Sequence, residues 1–149
     1  VNVLTMDSEA KVAILDGDRA LSMWPTLQDH FERSLQFAHD DMTYKNILAG
    51  VLDGTLLLLV VHRDGEVVGS AALEVAELRD HRVLHCLHFA GRDLLDWGDT
   101  FVLNWEKVAH VVKCDRISIK GREGWAREAR RYGFKHSYTV MHKDIGVST

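Results

Sequence analysis

Apolar positions near the start of the chain recur at helical spacing, with Leu27, Phe31, Leu35 and Ala38 on one face and Asp29, Glu32, Arg33 and Gln36 turned away. Pro25, the single proline, stands where it would open this helix. Tyr44, Ile47, Leu48 and Val51 predict a second, shorter helix closed by Gly54. The period then changes. LLLLVVHRDGEVVGSAALEVAEL holds two β-rich runs around Asp64-Gly65, a pair suited to the positive φ angles of a tight hairpin turn. After a polar break at 79–81, RVLHCLHFA reads as a third strand over 82–90. GRDLLDWGDT reads as a loop or helix entrance, and Phe101, Trp105, Val108, Ala109 and Val112 form the apolar stripe of a central helix. A strand over 115–120, a helix over 123–132 with Trp125, Ala129 and Tyr132 on one face, and a last strand over 134–143 complete the order α-α-β-β-β-α-β-α-β. This is an α+β fold with a mostly antiparallel sheet.

With 149 residues, 46% of them hydrophobic, the chain is long enough for one domain with a core and too short for two, so a single domain over 1–149 is expected. It holds no run of about 18 apolar residues, which points to a soluble protein without a membrane partner. The start VNVLTMDSEA lacks a basic flank followed by an apolar stretch, so no secretory signal is expected in it. Cys86 and Cys114 match neither a disulfide framework nor a CxxC clip and suit reduced thiols in a cytoplasm.

Charge is distributed unevenly. The formal net charge is −4, but 115–135 carries seven basic and three acidic residues, leaving the remainder at −8. Arg122, Arg127, Arg130 and Arg131 gather near Trp125 and Tyr132, which raises a nucleic-acid surface. Against it, those aromatics are spaced as a buried helix face and the rest of the chain is acidic. A solvated helix with pairs such as Glu123–Arg127 is the plainer account, and nucleic acid is not the expected partner. Nine histidines raise the question of a metal. His85 and His88 face opposite sides of a regular strand, and His81 and His85 lie roughly 13 Å apart at strand rise. No zinc spacing appears, so no metal is expected. Cys86 has histidines nearby but no nucleophile elbow, and IKGREGW is not a Walker sequence.

The element order, the hairpin HRDGEVVGSAAL and the ending RISIKGREGWAREARRYGF resemble the GCN5-related N-acetyltransferase (GNAT) superfamily over about 25–143. The form GREGW, followed by arginines and Gly-Phe, also resembles small GNAT-like proteins associated with tailed phages, whose setting would be the host cytoplasm. The resemblance implies a three-layer α/β/α fold with a V-split mixed sheet and acyl-CoA in the cleft. It implies an amine acceptor, a bulged strand that holds the thioester carbonyl, and a pyrophosphate loop of backbone N–H groups at the start of the central helix. Acetyl-CoA is the implied cofactor, and Phe89, Ala90, Gly91, Arg92 and Gly98 are the implied contacts. The remaining proton-handling candidates are Glu74, Glu77, His85 and His88. The strand before that loop, HRVLHCLHFAG, often carries the base in the family, which makes His88 or His85 the candidate by position.

Two motifs depart from the family pattern. Counted from Arg92, the glycine positions of the pyrophosphate loop hold Leu95 and Trp97, and Asp93, Asp96 and Asp99 would repel phosphates. Counted back from Gly133, the general-acid tyrosine position holds Ala129 and the preceding asparagine position holds Arg122, while Tyr132 is spaced for packing. Two readings stay open: an N-acyltransferase with an unorthodox cofactor loop, and a GNAT-shaped binding or assembly module that has lost transfer. Trp24 and Trp97, read as exposed aromatics, leave a homodimer open as well.

Overall fold

A computed structural model describes residues 9–35, 43–120, 125–141 and 143–146. The described elements are β1 (Lys11–Leu15), α1 (Gly17–Ser22), α2 (Trp24–Leu35), α3 (Tyr44–Asp53), β2 (Leu57–Arg63), β3 (Glu66–Glu77), β4 (Arg82–Gly91), α4 (Leu94–Val111), β5 (Arg116–Ile119) and α5 (Trp125–Arg130). The five strands lie in chain order across one mixed sheet, antiparallel from β1 to β4 and parallel between β4 and β5.

Local chemistry explains the main boundaries. Asp16 caps α1 by accepting from the Arg19 N–H at 2.9 Å, and Thr43 with Asn46 forms a capping box that starts α3. Asp64 and Gly65, at φ 51° and 78°, make the β2–β3 turn that their sequence predicts. Each face of the sheet then buries its own core. Leu59, Val61, Ala71, Leu73, Leu84 and Cys86 pack against Trp97, Phe101 and Trp105 of α4. Leu58, Val60, Val67 and Ala72 pack on the other face against Leu27 and Phe31 of α2 and Ile47 and Val51 of α3. The result is the expected three-layer α+β arrangement.

Three features differ from the sequence reading. Strand β1 and helix α1 precede the first expected helix, since KVAIL finds a partner in β2 along its whole length. No strand forms among the described residues of 134–143: Tyr138, Val140 and Met141 are 75%, 72% and 88% exposed. Strand propensity needs a partner edge, and β5 ends the sheet without one from this segment. The third correction concerns the aromatics. Trp97 lies inside α4 at 2% exposure, and Trp24 is half-buried beside Phe31 and Tyr44, with ring centroids 5.9 and 6.4 Å away. Neither offers a surface for self-association. Positions 36–38, including Ala38, and 121–124, including Arg122, lie outside the described residues.

Candidate functional site

The β4–β5 ladder runs only from Val83↔Arg116 to Cys86↔Ile119, whereas β4 continues to Gly91. β5 ends at Ile119, and the next residue, Lys120, donates its N–H to the Cys86 carbonyl at 3.3 Å. At the same point the β3–β4 register slips by one residue, with Leu73 opposite Cys86 but Ala72 opposite His88, so Leu87 has no register partner on β3. The Cys86 thiol donates to the His88 carbonyl across this bulge at 3.2 Å. Burial raises the Cys86 pKa far above the ordinary thiol range, so it is no thiolate nucleophile.

The bulge changes the sidedness of the histidines. His85 pairs in register with Glu74 and His88 with Ala72, two residues apart on β3, so both imidazoles face the α2 side. A regular strand would have set them on opposite faces, and the expectation of opposed histidines is corrected accordingly. Each is held by a serine: His85 Nδ1 and Ser118 Oγ share a hydrogen bond of 2.7 Å, and His88 Nε2 and Ser34 Oγ one of 3.2 Å. A third pair, His30 Nε2 with Ser70 Oγ at 2.8 Å, lies on the same side of the sheet. The sheet face beneath α2 thus carries a seam of imidazoles and hydroxyls in an otherwise apolar layer.

Desolvation favours the uncharged form of all three rings. His30 is pulled down to about 4, first by burial and then by the positive charges of Arg33, His88 and Arg92, with Asp29 opposing. Burial lowers His88. For His85 burial again dominates, Glu74 opposes and Lys120 adds to it. A histidine depressed in the native state binds its proton more readily when unfolded, so stability falls as pH drops through the unfolded value near 6.5 towards the native one. At about 1.4 kcal/mol per pH unit, His30 alone is expected to account for on the order of 3 kcal/mol. Urea unfolding between pH 7 and 5 should therefore show declining stability, and His30→Gln should flatten the decline. An equally steep decline in His30→Gln would contradict the assignment.

The entrance of α4 is built differently from a phosphate cradle. Asp93 occupies the N-cap at φ 58° and makes no side-chain cap bond. Arg63 reaches both Asp93 and Asp96, at 3.8 and 3.6 Å, and Arg92 is ion-paired with Glu66. The Trp97 indole N–H donates to the Arg92 carbonyl at 2.8 Å, and its ring fills the space above two glycines. A Cβ on Gly69 or on Gly91 would come within 2.6 or 2.7 Å of that ring. Gly91 is therefore small because Trp97 needs the room. Gly98 likewise lies under the Tyr132 ring, whose hydroxyl occupies the place of a Cβ. Tyr132 takes the packing position its spacing implied, and burial, then Asp99 and Glu128, raise its pKa. Phe89 turns into the α4 core beside Phe101 and Trp97, and Ala90 pairs with Ser70.

The structure brings His85, His88 and Glu74 to one face of the sheet, beside the end of β5. Phe89, Ala90, Gly91 and Arg92 lie along the end of β4. The sequence reading did not include Ser34, Ser118, His30, Ser70 and Arg63; isolated serines and a strand-end arginine carry no pattern. Trp97 did leave a signal, since it stands four residues before Phe101 and extends the α4 stripe by a turn. On and just after α5, Arg127, Arg130 and Arg131 are exposed, and Arg131 pairs with Glu128 at 3.8 Å, as expected of a solvated surface. No group of three or more possible metal ligands occurs among the described residues, and no described helix is long and apolar enough to cross a membrane.

No protein-family model and no curated protein sequence matches the chain. Solved structures do match its fold. An aminoglycoside acetyltransferase from an uncultured soil metagenomic sample, in complex with trehalose, superposes with a TM-score of 0.68 at 11% identity, covering 96% of this chain and 99% of that one. A GNAT family acetyltransferase of Staphylococcus aureus matches with a TM-score of 0.66 at 11% identity, over 92% and 99% of the two chains. A ribosomal-protein-alanine N-acetyltransferase of Brucella melitensis matches with a TM-score of 0.61 at 14% identity, over 92% and 99%. The chain has the fold of the GNAT acetyltransferases.

Proposed function

We propose that the chain is an acyl-CoA-dependent N-acyltransferase whose reaction centre lies where β4 runs on past the end of β5. The observation that carries this reading is the coincidence of the end of β5 opposite Cys86, the bulge at Leu87, and two histidines with lowered pKa brought by that bulge to one side of the sheet. The end of β4 suits an extended, amide-containing chain lying along a strand. Acetyl-CoA would supply an activated thioester there. A backbone N–H at this bulge would polarise the thioester carbonyl. His88, neutral and oriented by Ser34, would accept the amine proton as the new N–C bond forms and the thioester C–S bond breaks, coenzyme A leaving as a thiolate that takes up a proton, and His85, tied to Ser118 beside Glu74, would be the second base. Neither role needs a covalent intermediate, because positioning the two reactants supplies much of the acceleration.

The fit is uneven. The strand half of the site suits the acyl arm, but the helix half has no glycine cradle, and phosphates would compete with Asp93 and Asp96 for Arg63. That competition favours a second reading, a GNAT-shaped binding or assembly module without transfer, and the resemblance of its GREGW ending to phage-borne proteins agrees with it. Two buried free cysteines suit a reducing cytoplasm under either reading.

Ligand-dependent unfolding separates the two. Acetyl-CoA at 100 times its Kd is expected to stabilise the chain by about 2.7 kcal/mol, read as a rise in thermal midpoint, with CoA acting similarly. An unchanged midpoint at millimolar acetyl-CoA and CoA would leave only the binding module.

A further inference from the structure

The three histidine–serine pairs on the α2 side of the sheet differ in access and in company. His30 and Ser70 are both buried, and His88 is buried behind Ser34. Of the three pairs, only His85 with Ser118 leaves both members partly exposed to water. Their neighbours differ as well, since His88 stands opposite Ala72 on β3 whereas His85 stands opposite Glu74, itself partly exposed. On its other side His85 is in register with Ser118 of β5. A carboxylate, an imidazole and a hydroxyl therefore occupy one row on three consecutive strands, each strand about 4.8 Å from the next. The 2.7 Å bond between Ser118 Oγ and His85 Nδ1 gives this row the order of acid, base and nucleophile.

We infer that Ser118 is a nucleophile, activated by His85 and supported by Glu74, which takes short acyl groups from thioesters or activated esters as an acyl-serine and releases them to water. The Ser118 hydroxyl passes its proton to Nδ1 as Oγ bonds to the acyl carbon. The C–S or C–O bond to the leaving group then breaks, and the imidazolium returns the proton to the departing thiolate or oxyanion. A water molecule repeats the exchange: its oxygen bonds to the acyl carbon, its proton passes through Nδ1 to Ser118 as the Oγ–acyl bond breaks, and the free acid leaves. Burial, with the Lys120 charge adding to it, holds the His85 ring uncharged and able to accept. Glu74 opposes that shift and so favours the imidazolium formed in each transfer. The use of acyl-CoA as donor rests on the N-acyltransferase reading, and the row of three side chains does not.

The test uses p-nitrophenyl acetate, a donor that needs no coenzyme site. The full chain should release p-nitrophenol and, after acid quenching, carry an acetyl group on Ser118 in its peptide mass spectrum. Ser118→Ala should lower the release at least about 10²-fold. Ser118→Cys keeps a nucleophile in place, should still become acylated, and serves if the alanine variant misfolds. Glu74→Gln should move the acid limb of the rate to lower pH, because the charge that raises the His85 pKa is gone while Lys120 remains. An unmoved limb overturns the part given to Glu74. Acetyl found only on other side chains, or release undiminished in Ser118→Ala, overturns the inference as a whole. Acylation of Ser118 by the ester, with no thermal shift from acetyl-CoA, would overturn the N-acyltransferase reading and support the acyl-serine. Amine acetylation by acetyl-CoA, with no acetyl on Ser118 from either donor, would do the reverse.

Discussion

Trp97→Ala is expected to lower folding stability by about 3–5 kcal/mol, the range for truncating a buried aromatic. Trp97 is 2% exposed, contacts Phe89 and Phe101 at ring-centroid distances of 6.1 and 5.7 Å, and donates a hydrogen bond to the Arg92 carbonyl. Its removal leaves a hole over Gly69 and Gly91 that the backbone cannot easily close. It also leaves the Arg92 carbonyl unpaired at the start of α4. Leu95→Ala, one turn-position away but 72% exposed, should change stability by no more than about 0.5 kcal/mol. Urea unfolding of both variants decides the matter. Similar small losses for the two would mean that Trp97 does not fill the space between β3, β4 and α4.

His88→Ala is expected to lower the acyl-transfer rate by about 10²- to 10⁴-fold at saturating acyl-CoA, the range for removing a general base. Cofactor affinity should persist, because the imidazole faces Ser34 and Phe31 of α2 and not the strand edge. Ser34→Ala should shift the pH profile of the rate by changing the ring's hydrogen bonding, and should move it far less than His88→Ala lowers it. Because burial depresses the His88 pKa, the wild-type rate should hold through neutrality and fall only on acidification below the usual histidine range. Steady-state kinetics with a fixed amine acceptor gives both readouts. Undiminished turnover in His88→Ala, with the loss appearing in His85→Ala, would transfer the role to His85, beside Ser118 on the β4–β5 ladder.

Much of the fold was readable because its elements obey simple periods. Leu27 and Phe31 announce α2, the Asp64-Gly65 turn fixes the β2–β3 hairpin, and the Phe101–Trp105–Val108 stripe announces α4. What escaped depends on partners remote in sequence. The five residues of β1 are strand only because β2 lies beside them, and the described residues of 134–143 pair with no such neighbour. The site was legible in part. The resemblance pointed to the strand that carries His85 and His88, but their sidedness required the slip at Leu87, which no residue type in LHCLHFA signals. Gly91 and Gly98 illustrate the converse. Glycine before a helix suggested room for phosphate, whereas Trp97 and Tyr132 take up that room.

The slip at Leu87 also bears on how this strand is compared with others. Before it, odd-numbered residues such as His85 look towards α2; after it, even-numbered ones such as His88 and Ala90 do. Strand β4 is thus written in two reading frames joined at one residue. An alignment that opens its gap anywhere else will exchange the two walls of the sheet over part of the strand and match core residues to site residues. Equivalences drawn across this position hold only when the gap falls on Leu87.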